Sequence, residues 1–301
     1  MKNKYLSILL LALAFTSAKS WAFTCQSLGK SISTSGSVNV YVDLDPEIQP
    51  GKNLVVNLGN SIQCRNDAST VYTDPVWVDS GSAFVSDLSG FNGYLTYYGT
   101  QYPFPLKSAT DAVNHTWGTF RPWETVLYIS PISAAGGVFI KKGSRFAQLT
   151  LKKRDSLNGN IQTIIWNIYA NNSVEIPTGG CDISSRDVNV DLPDYDANAS
   201  QQVTVPLTVK CAQTQNLNFT LSGTTAGSDT VFQNVAANGA QGIGIQILRN
   251  NTPVVAGDKN ALGYVSTTPV SLGLSAQYGL TSGQVTAGLV KSVIDVTFTY
   301  Q

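Results

Sequence analysis

Asp67 and Asp74 stand close together in the stretch Cys64-Arg65-Asn66-Asp67-Ala68-Ser69-Thr70-Val71-Tyr72-Thr73-Asp74. Paired carboxylates serve two kinds of sugar chemistry. In glycoside hydrolysis one protonates the leaving oxygen while the other acts as nucleophile or base. In noncovalent recognition, carboxylates accept and amides both donate and accept in fixed directions. Two aspartates and an asparagine in a rigid loop can then clasp sugar hydroxyls, with an aromatic such as Tyr72 against an apolar sugar face. A third reading needs no ligand, because loop aspartates also cap turns. Other chemistries lack support. His115 is the one histidine and no serine nucleophile motif surrounds it, which removes the Ser-His-Asp class. No two cysteines form a C-x2-C pair, so a zinc site is not expected. Lys plus Arg and Asp plus Glu number 19 each, with no basic run carrying interleaved aromatics, so nucleic acid is not an expected partner.

The elements that must position these residues are strands. Val38, Val40, Val42 and Leu44 alternate with Asn39, Tyr41 and Asp43, the period of two that half-buries a strand. Similar runs recur at Leu54 to Leu58, Val76 to Val78, Tyr94 to Tyr98, Val126 to Ile129, Val138 to Ile140, Phe146 to Leu151 and Ile164 to Tyr169. In the second half they recur at Val203 to Val209, Leu217 to Leu221, Ile243 to Ile247 and Val293 to Tyr300. No segment shows a sustained helical period with caps, which predicts two all-β sandwiches. Pro177-Thr178-Gly179-Gly180 separates them as a hinge, with proline fixing one angle and paired glycines permitting almost any other.

The first 22 residues read as a secretory leader: Lys2 and Lys4, an apolar core from Leu6 to Phe15, and small residues ending at Ala22. Its core is too short to span a bilayer. Cleavage there leaves 279 residues beginning at Phe23, enough for two domains. Cys25, Cys64, Cys181 and Cys211 form an even set with three formal pairings. The hinge favours pairing within halves, Cys25 with Cys64 and Cys181 with Cys211, each worth roughly 3 to 4 kcal/mol by loop closure.

Together, several motifs resemble the type 1 fimbrial tip adhesin family over the whole chain. They are Phe23-Thr24-Cys25, Cys64-Arg65-Asn66-Asp67 with Asp74, Tyr102-Pro103-Phe104-Pro105, Ser133-Ala134-Ala135-Gly136-Gly137-Val138, Trp166-Asn167-Ile168-Tyr169-Ala170-Asn171-Asn172 and Pro177-Thr178-Gly179-Gly180-Cys181. Gly288, fourteenth from the C-terminus, and the penultimate Tyr300 are similar to the signature of subunits assembled by a periplasmic chaperone and an outer-membrane usher.

The resemblance implies a fimbrial tip adhesin exported through the periplasm to the bacterial cell surface, with no enzymatic activity, cofactor or metal. A lectin domain over 23–176 would grip a host glycan, and a linker at 177–180 would lead to a pilin domain over 181–301. Both would be immunoglobulin-like β-sandwiches, the second lacking its last strand. Its open groove would be filled by a chaperone strand and then by the N-terminal extension of the adjacent tip subunit, since an unpaired apolar edge does not stay exposed. Gly288, Ile294, Val296, Phe298 and Tyr300 are the expected chaperone and subunit interface.

In mannose-binding members of the family the pocket comprises the free N-terminal amine, an Asn-Asp pair, a later Asp, and a loop with Gln, Asn and Asp before the Trp-Asn-Ile strand. Phe23, Asn66, Asp67 and Asp74 match that pattern. Counting back from Trp166, Lys153 takes the Gln position, Asp155 the Asn position and Asn160 the final Asp position. Ala68 and Leu157 replace the two rim tyrosines. A lysine followed by an asparagine is similar to paralogues that bind galactose and N-acetylgalactosamine, which place the lysine where this chain has Lys152. Lys152 and Lys153 are therefore both candidates, a solvated strand end is the other reading, and galactose or N-acetylgalactosamine is expected ahead of mannose. Glycoside hydrolysis by Asp67 and Asp74 is the rival from another class.

Overall fold

The computed structural model describes residues 23–199 and 201–300, so the expected leader lies outside the described residues. The described chain is all-β, and its only helical turns are short 3-10 turns at Leu58–Asn60 and Ser86–Leu88. It divides into two compact units, one from 23–44, 56–127 and 140–173, the other from 45–55, 128–139 and 174–300.

In the first unit the alternating valines work as expected. Val40 and Val42 are buried in the strand Gly36–Val42, which runs parallel to Ile161–Ala170 and pairs Val38 with Trp166 and Ile168 with Val40. Arg145–Arg154 lies antiparallel on the other side of Ile161–Ala170 and is followed by Pro75–Val78 and Val113–Asn114. A register shift between Arg145 and Ala147 sets the parity of that strand, so Ala147, Leu149, Leu151 and Lys153 point inward while Gln148, Thr150 and Lys152 point outward. A second sheet orders Arg121–Pro122, Ile62–Asn66, Phe23–Ser27 and Lys30–Ile32. The core holds Trp123, Trp166, Phe23, Phe146 and Leu149, each with at most 1% of its surface exposed. Each such burial contributes roughly 1.5–3 kcal/mol.

The second unit is an immunoglobulin-like sandwich around Leu217, Phe219, Phe232, Val265 and Leu274. Gln215–Ser222 pairs with Asn260–Val265 on one side and Asp295–Tyr300 on the other. The facing sheet centres on Leu274–Leu280, between Ile243–Arg249 and Val203–Thr204. A groove of about 820 Å³ runs beside the last strand, lined by Ile183, Val188, Leu192, Ile245, Ile294 and Val296. Ile294 and Val296 are half-buried while Phe298 on the same face is buried.

Both disulfides join residues of one half, Cys25 to Cys64 and Cys181 to Cys211, and each pair lies directly opposite in an antiparallel ladder. Two strand expectations change. The run Val203 to Val209 splits into Val203–Thr204 and Thr208–Cys211, because Pro206 has no N–H to give a ladder. The last strand begins at Asp295 rather than Val293. The Pro177 to Gly180 segment is mostly buried within the second unit: Thr178 N–H donates to Gly136 O (3.0 Å), and Asn53 Nδ2 donates to Pro177 O and Gly179 O (3.0 and 2.6 Å). Gly288, at φ 153°, approaches another backbone segment so closely that a Cβ there would lie 2.5 Å from Ala240 N. Tyr300 donates its hydroxyl to Ser133 O at 3.0 Å.

Candidate carbohydrate-binding site

Two loops of the first unit face each other. The loop after Ile62–Asn66 is held from within by Asn66, whose side chain is fully buried. Its Nδ2 donates to Tyr72 O (2.7 Å) and His115 O (2.8 Å), and its Oδ1 accepts from Ala68 N–H (2.9 Å). The loop from Asp155 to Asn160 is closed by Asp155 N–H on Asn160 O (2.8 Å) and by Leu157 N–H on Asp155 Oδ1 (2.9 Å). Thr73 N–H donates to Ser156 Oγ (3.2 Å) and links the two.

Asp74 lies between them, with φ at +40°, a left-handed conformation that aspartate tolerates better than most residues. It is 1% exposed. Its Oδ1 sits 3.1 Å from Lys153 Nζ, whereas its buried Oδ2 has no hydrogen-bond partner. Burial raises the pKa of Asp74 above the usual aspartate value; Lys153 pulls it down, and Asp155 and Asp67 push it further up. Lys153 is 7% exposed, and its ammonium also lies 5.9 Å above the ring of Phe23, which pairs with Asn66 across the first two strands. Inward parity brings Lys153 here. Lys152, one residue earlier, turns outward and pairs with Asp79 at 2.6 Å.

Asp67 is exposed, its Oδ1 2.6 Å from Arg65 Nε and its Oδ2 accepting from Thr24 Oγ. Phe23, Asn66, Asp67, Tyr72, Asp74, Lys153 and Asp155 are thus brought together, with Asn66 and the Tyr72 carbonyl holding the loop. Asn160 and Leu157 are exposed on the second loop, and Lys152 is directed elsewhere.

Sequence reasoning missed the residue underneath. His115, fully buried, donates its backbone N–H to Asp74 O (3.2 Å) while its own carbonyl accepts from Asn66. Its ring stacks on Trp123 (5.3 Å, 13°), with Phe23 edge-on at 5.1 Å and Trp117 at 4.6 Å. Nδ1 lies 3.0 Å from Val113 O and Nε2 3.1 Å from the Tyr98 hydroxyl. Burial lowers its pKa to about 4. The only sequence hint is aromatic density, a lone histidine ahead of Trp117, Phe120 and Trp123.

Such an arrangement offers acceptors from two carboxylates and donors from one ammonium, the groups that orient hydroxyls. Residues 25–167 match the family model described as FimH, mannose binding, and residues 170–301 match that of Fimbrial protein. The chain is 48% identical over 289 residues, 95% of each sequence, to the Type 1 fimbrin D-mannose specific adhesin of Escherichia coli (strain K12). It is 38% identical over 279 residues, 88% of this chain and 92% of the relative, to the S-fimbrial protein subunit SfaH of Escherichia coli O6:K15:H31 (strain 536 / UPEC).

Proposed function

The chain belongs to the type 1 fimbrial tip adhesin family, exported and displayed at the fimbrial tip on the bacterial surface, and we propose that it holds a terminal galactose or N-acetylgalactosamine of a host glycan. Residues 23–176 act as the lectin domain, 177–180 as the linker and 181–301 as the pilin domain. Binding is noncovalent: Asp67 and Asp74 each sit against a cation and serve as acceptors rather than as an acid and nucleophile pair. The pilin groove takes a strand from a periplasmic chaperone, then from the adjacent tip subunit, with the outer-membrane usher as a further assembly partner.

The observation that carries the sugar assignment is Lys153, inward-facing and 3.1 Å from Asp74, where the mannose-type pattern has a neutral amide. The α-amine freed by cleavage before Phe23 supplies a second cation near the same carboxylates. Hydroxyls meeting Lys153 must accept, and epimers at the second and fourth carbons differ in which hydroxyl can do so. A buried group left unpaired costs about 1–3 kcal/mol, so a preference of about ten- to a hundredfold follows at 1.4 kcal/mol per decade. Mannose is the second reading, favoured by the description of the matching family model and by the name of the 48% identical relative. Competition by methyl mannoside, galactose and N-acetylgalactosamine against an immobilised glycan, with full-length protein and its Lys153→Gln and Asn160→Asp variants, tests the choice. Galactose or N-acetylgalactosamine should win in the unmutated protein, and the margin should shrink in Lys153→Gln. A win for mannoside would replace the assignment with the second reading.

A further inference from the structure

We propose that His115 is the positioning residue of the sugar site and that it holds the site together only as a neutral imidazole. The proposal rests in part on the sugar-binding reading above, but its geometry is independent of which sugar binds. Phe23 and the loop that carries Asn66 and Asp74 come from separate parts of the chain, and all three residues meet His115. Its backbone is a strap: the N–H donates to Asp74 O and the carbonyl receives Asn66 Nδ2. Its ring, packed between Trp123 and the edge of Phe23, supports the residue whose α-amine the site is expected to use. What pins the strap is the side chain.

The tautomer follows from the partners. Val113 O can only accept, so Nδ1 carries the hydrogen, and Nε2 is left with a lone pair for the Tyr98 hydroxyl. Tyr98 is a dependable donor, because burial, with Glu124 nearby, raises its pKa well above the ordinary tyrosine value. A proton on Nε2 would turn this acceptor into a donor and place a charge among Phe23, Tyr98, Trp117 and Trp123. The charged groups around that cage do not favour it. Burial outweighs the Val113 and Asp74 carbonyls that would favour a proton on the ring, Lys153 opposes a second cation, the Asp74 carboxylate is already held by Lys153, Glu124 lies beyond Tyr98, and Arg121 covers Trp117 at 5.5 Å. The α-amine of Phe23 adds another positive charge after cleavage. Burial accordingly keeps the imidazole neutral down to about pH 4. Below that, protonation forces the ring out of its stack and pulls the strap away from Asp74 and Asn66.

The test uses untagged full-length protein beginning at Phe23, in which His115 is the sole histidine and its imidazole resonances need no assignment. They are titrated by NMR between pH 7 and 3, beside tryptophan fluorescence and the affinities for galactose, N-acetylgalactosamine and methyl mannoside. The imidazole should titrate near pH 4, with the fluorescence change and the loss of affinity at the same midpoint. Tyr98→Phe removes the partner of the neutral form and should move all three midpoints upward together. His115→Gln should bind at least tenfold more weakly at pH 7 and lose that midpoint. Titration near 6.5, or an unchanged acid midpoint in His115→Gln, would overturn the proposal and assign the acid response to Asp74. If none of the three sugars binds, the imidazole and fluorescence midpoints still decide on His115. If His115→Gln does not fold, Tyr98→Phe decides.

Discussion

Replacing Lys153 by methionine keeps most of the side-chain volume and removes the only cation within salt-bridge distance of Asp74 among the described residues. Asp74 would then be a carboxylate 1% exposed with no side-chain ion pair, and breaking a buried pair in this way typically costs about 3–5 kcal/mol. The carboxyl has an escape, which sets a ceiling. Taking up a proton at pH 7 against an unfolded value near 3.9 costs at most about 4 kcal/mol, at 1.36 kcal/mol per unit. We therefore expect about 3 kcal/mol, near 10 °C in a unit of this size. The sign of the pH dependence follows from the direction of the shift. Asp74 has a raised pKa when folded, so its ionisation weighs against folding above that pKa and the burden is relieved as pH falls through it. The destabilisation by Lys153→Met should shrink toward pH 4. Trp77, Trp117, Trp123 and Trp166 all lie in the first unit, so tryptophan fluorescence during urea unfolding reports on that unit alone. An unchanged midpoint at pH 7, or a penalty that grows on acidification, would refute this account of the pair.

An added residue before Phe23 should abolish sugar binding, because it converts a charged amine beside Asp67 and Asp74 into a neutral amide, and hydrogen bonds from charged donors are about twice as strong as neutral ones. Normal glycan binding by protein carrying an extra Met or Gly would remove the amine from the site. A peptide copying a fimbrial donor strand should raise the melting temperature of the second unit by covering the groove beside Ile294, Val296 and Phe298. Equal melting with and without peptide, followed by near-UV circular dichroism of the full-length chain, would count against strand addition.

Fold class was legible because it depends on period and punctuation. Val40 and Val42, Leu149 and Leu151, Leu217, Phe219 and Leu221 all point inward where alternation places them. The failures were local. Pro206 broke a run whose hydrophobic pattern was unbroken, since the ladder depends on backbone N–H groups that a side-chain pattern ignores. Whether Lys152 or Lys153 turns inward depends on a bulge between Arg145 and Ala147, and a one-residue shift exchanges the two faces of a strand. Alternation from Leu149 through Leu151 to Lys153 was a signal for the answer, but a lysine at an apolar position reads as a strand end until its partner is seen. Asp74 is that partner, 79 positions away in the chain. His115 left a fainter trace, a lone histidine ahead of three aromatics, because the strap it forms is a backbone N–H and carbonyl that almost any residue could supply and its ring partners are distant in the chain.

The site is also informative in how unevenly its polar groups are satisfied. Asn66 uses both amide hydrogens and its carbonyl oxygen within the protein, Asp67 is held by Arg65 and Thr24, and Asp155 closes its own loop. These groups are ordered before any sugar arrives, so binding carries little of the usual cost of immobilising side chains, about 0.5–1.5 kcal/mol each. One buried oxygen stands apart, Asp74 Oδ2. A donor reaching it gains a hydrogen bond without breaking another inside the protein. Discrimination should then hinge on which donor arrives, the α-amine of Phe23 or a hydroxyl of the sugar. If the amine takes it, Lys153 and Asp67 are left to read the sugar, and Asp74→Asn should weaken all three sugars alike by disturbing the amine. If a hydroxyl takes it, Asp74→Asn should change their order. Measuring the same three competitors on that one variant separates the two arrangements, and an unchanged affinity for every sugar would exclude both.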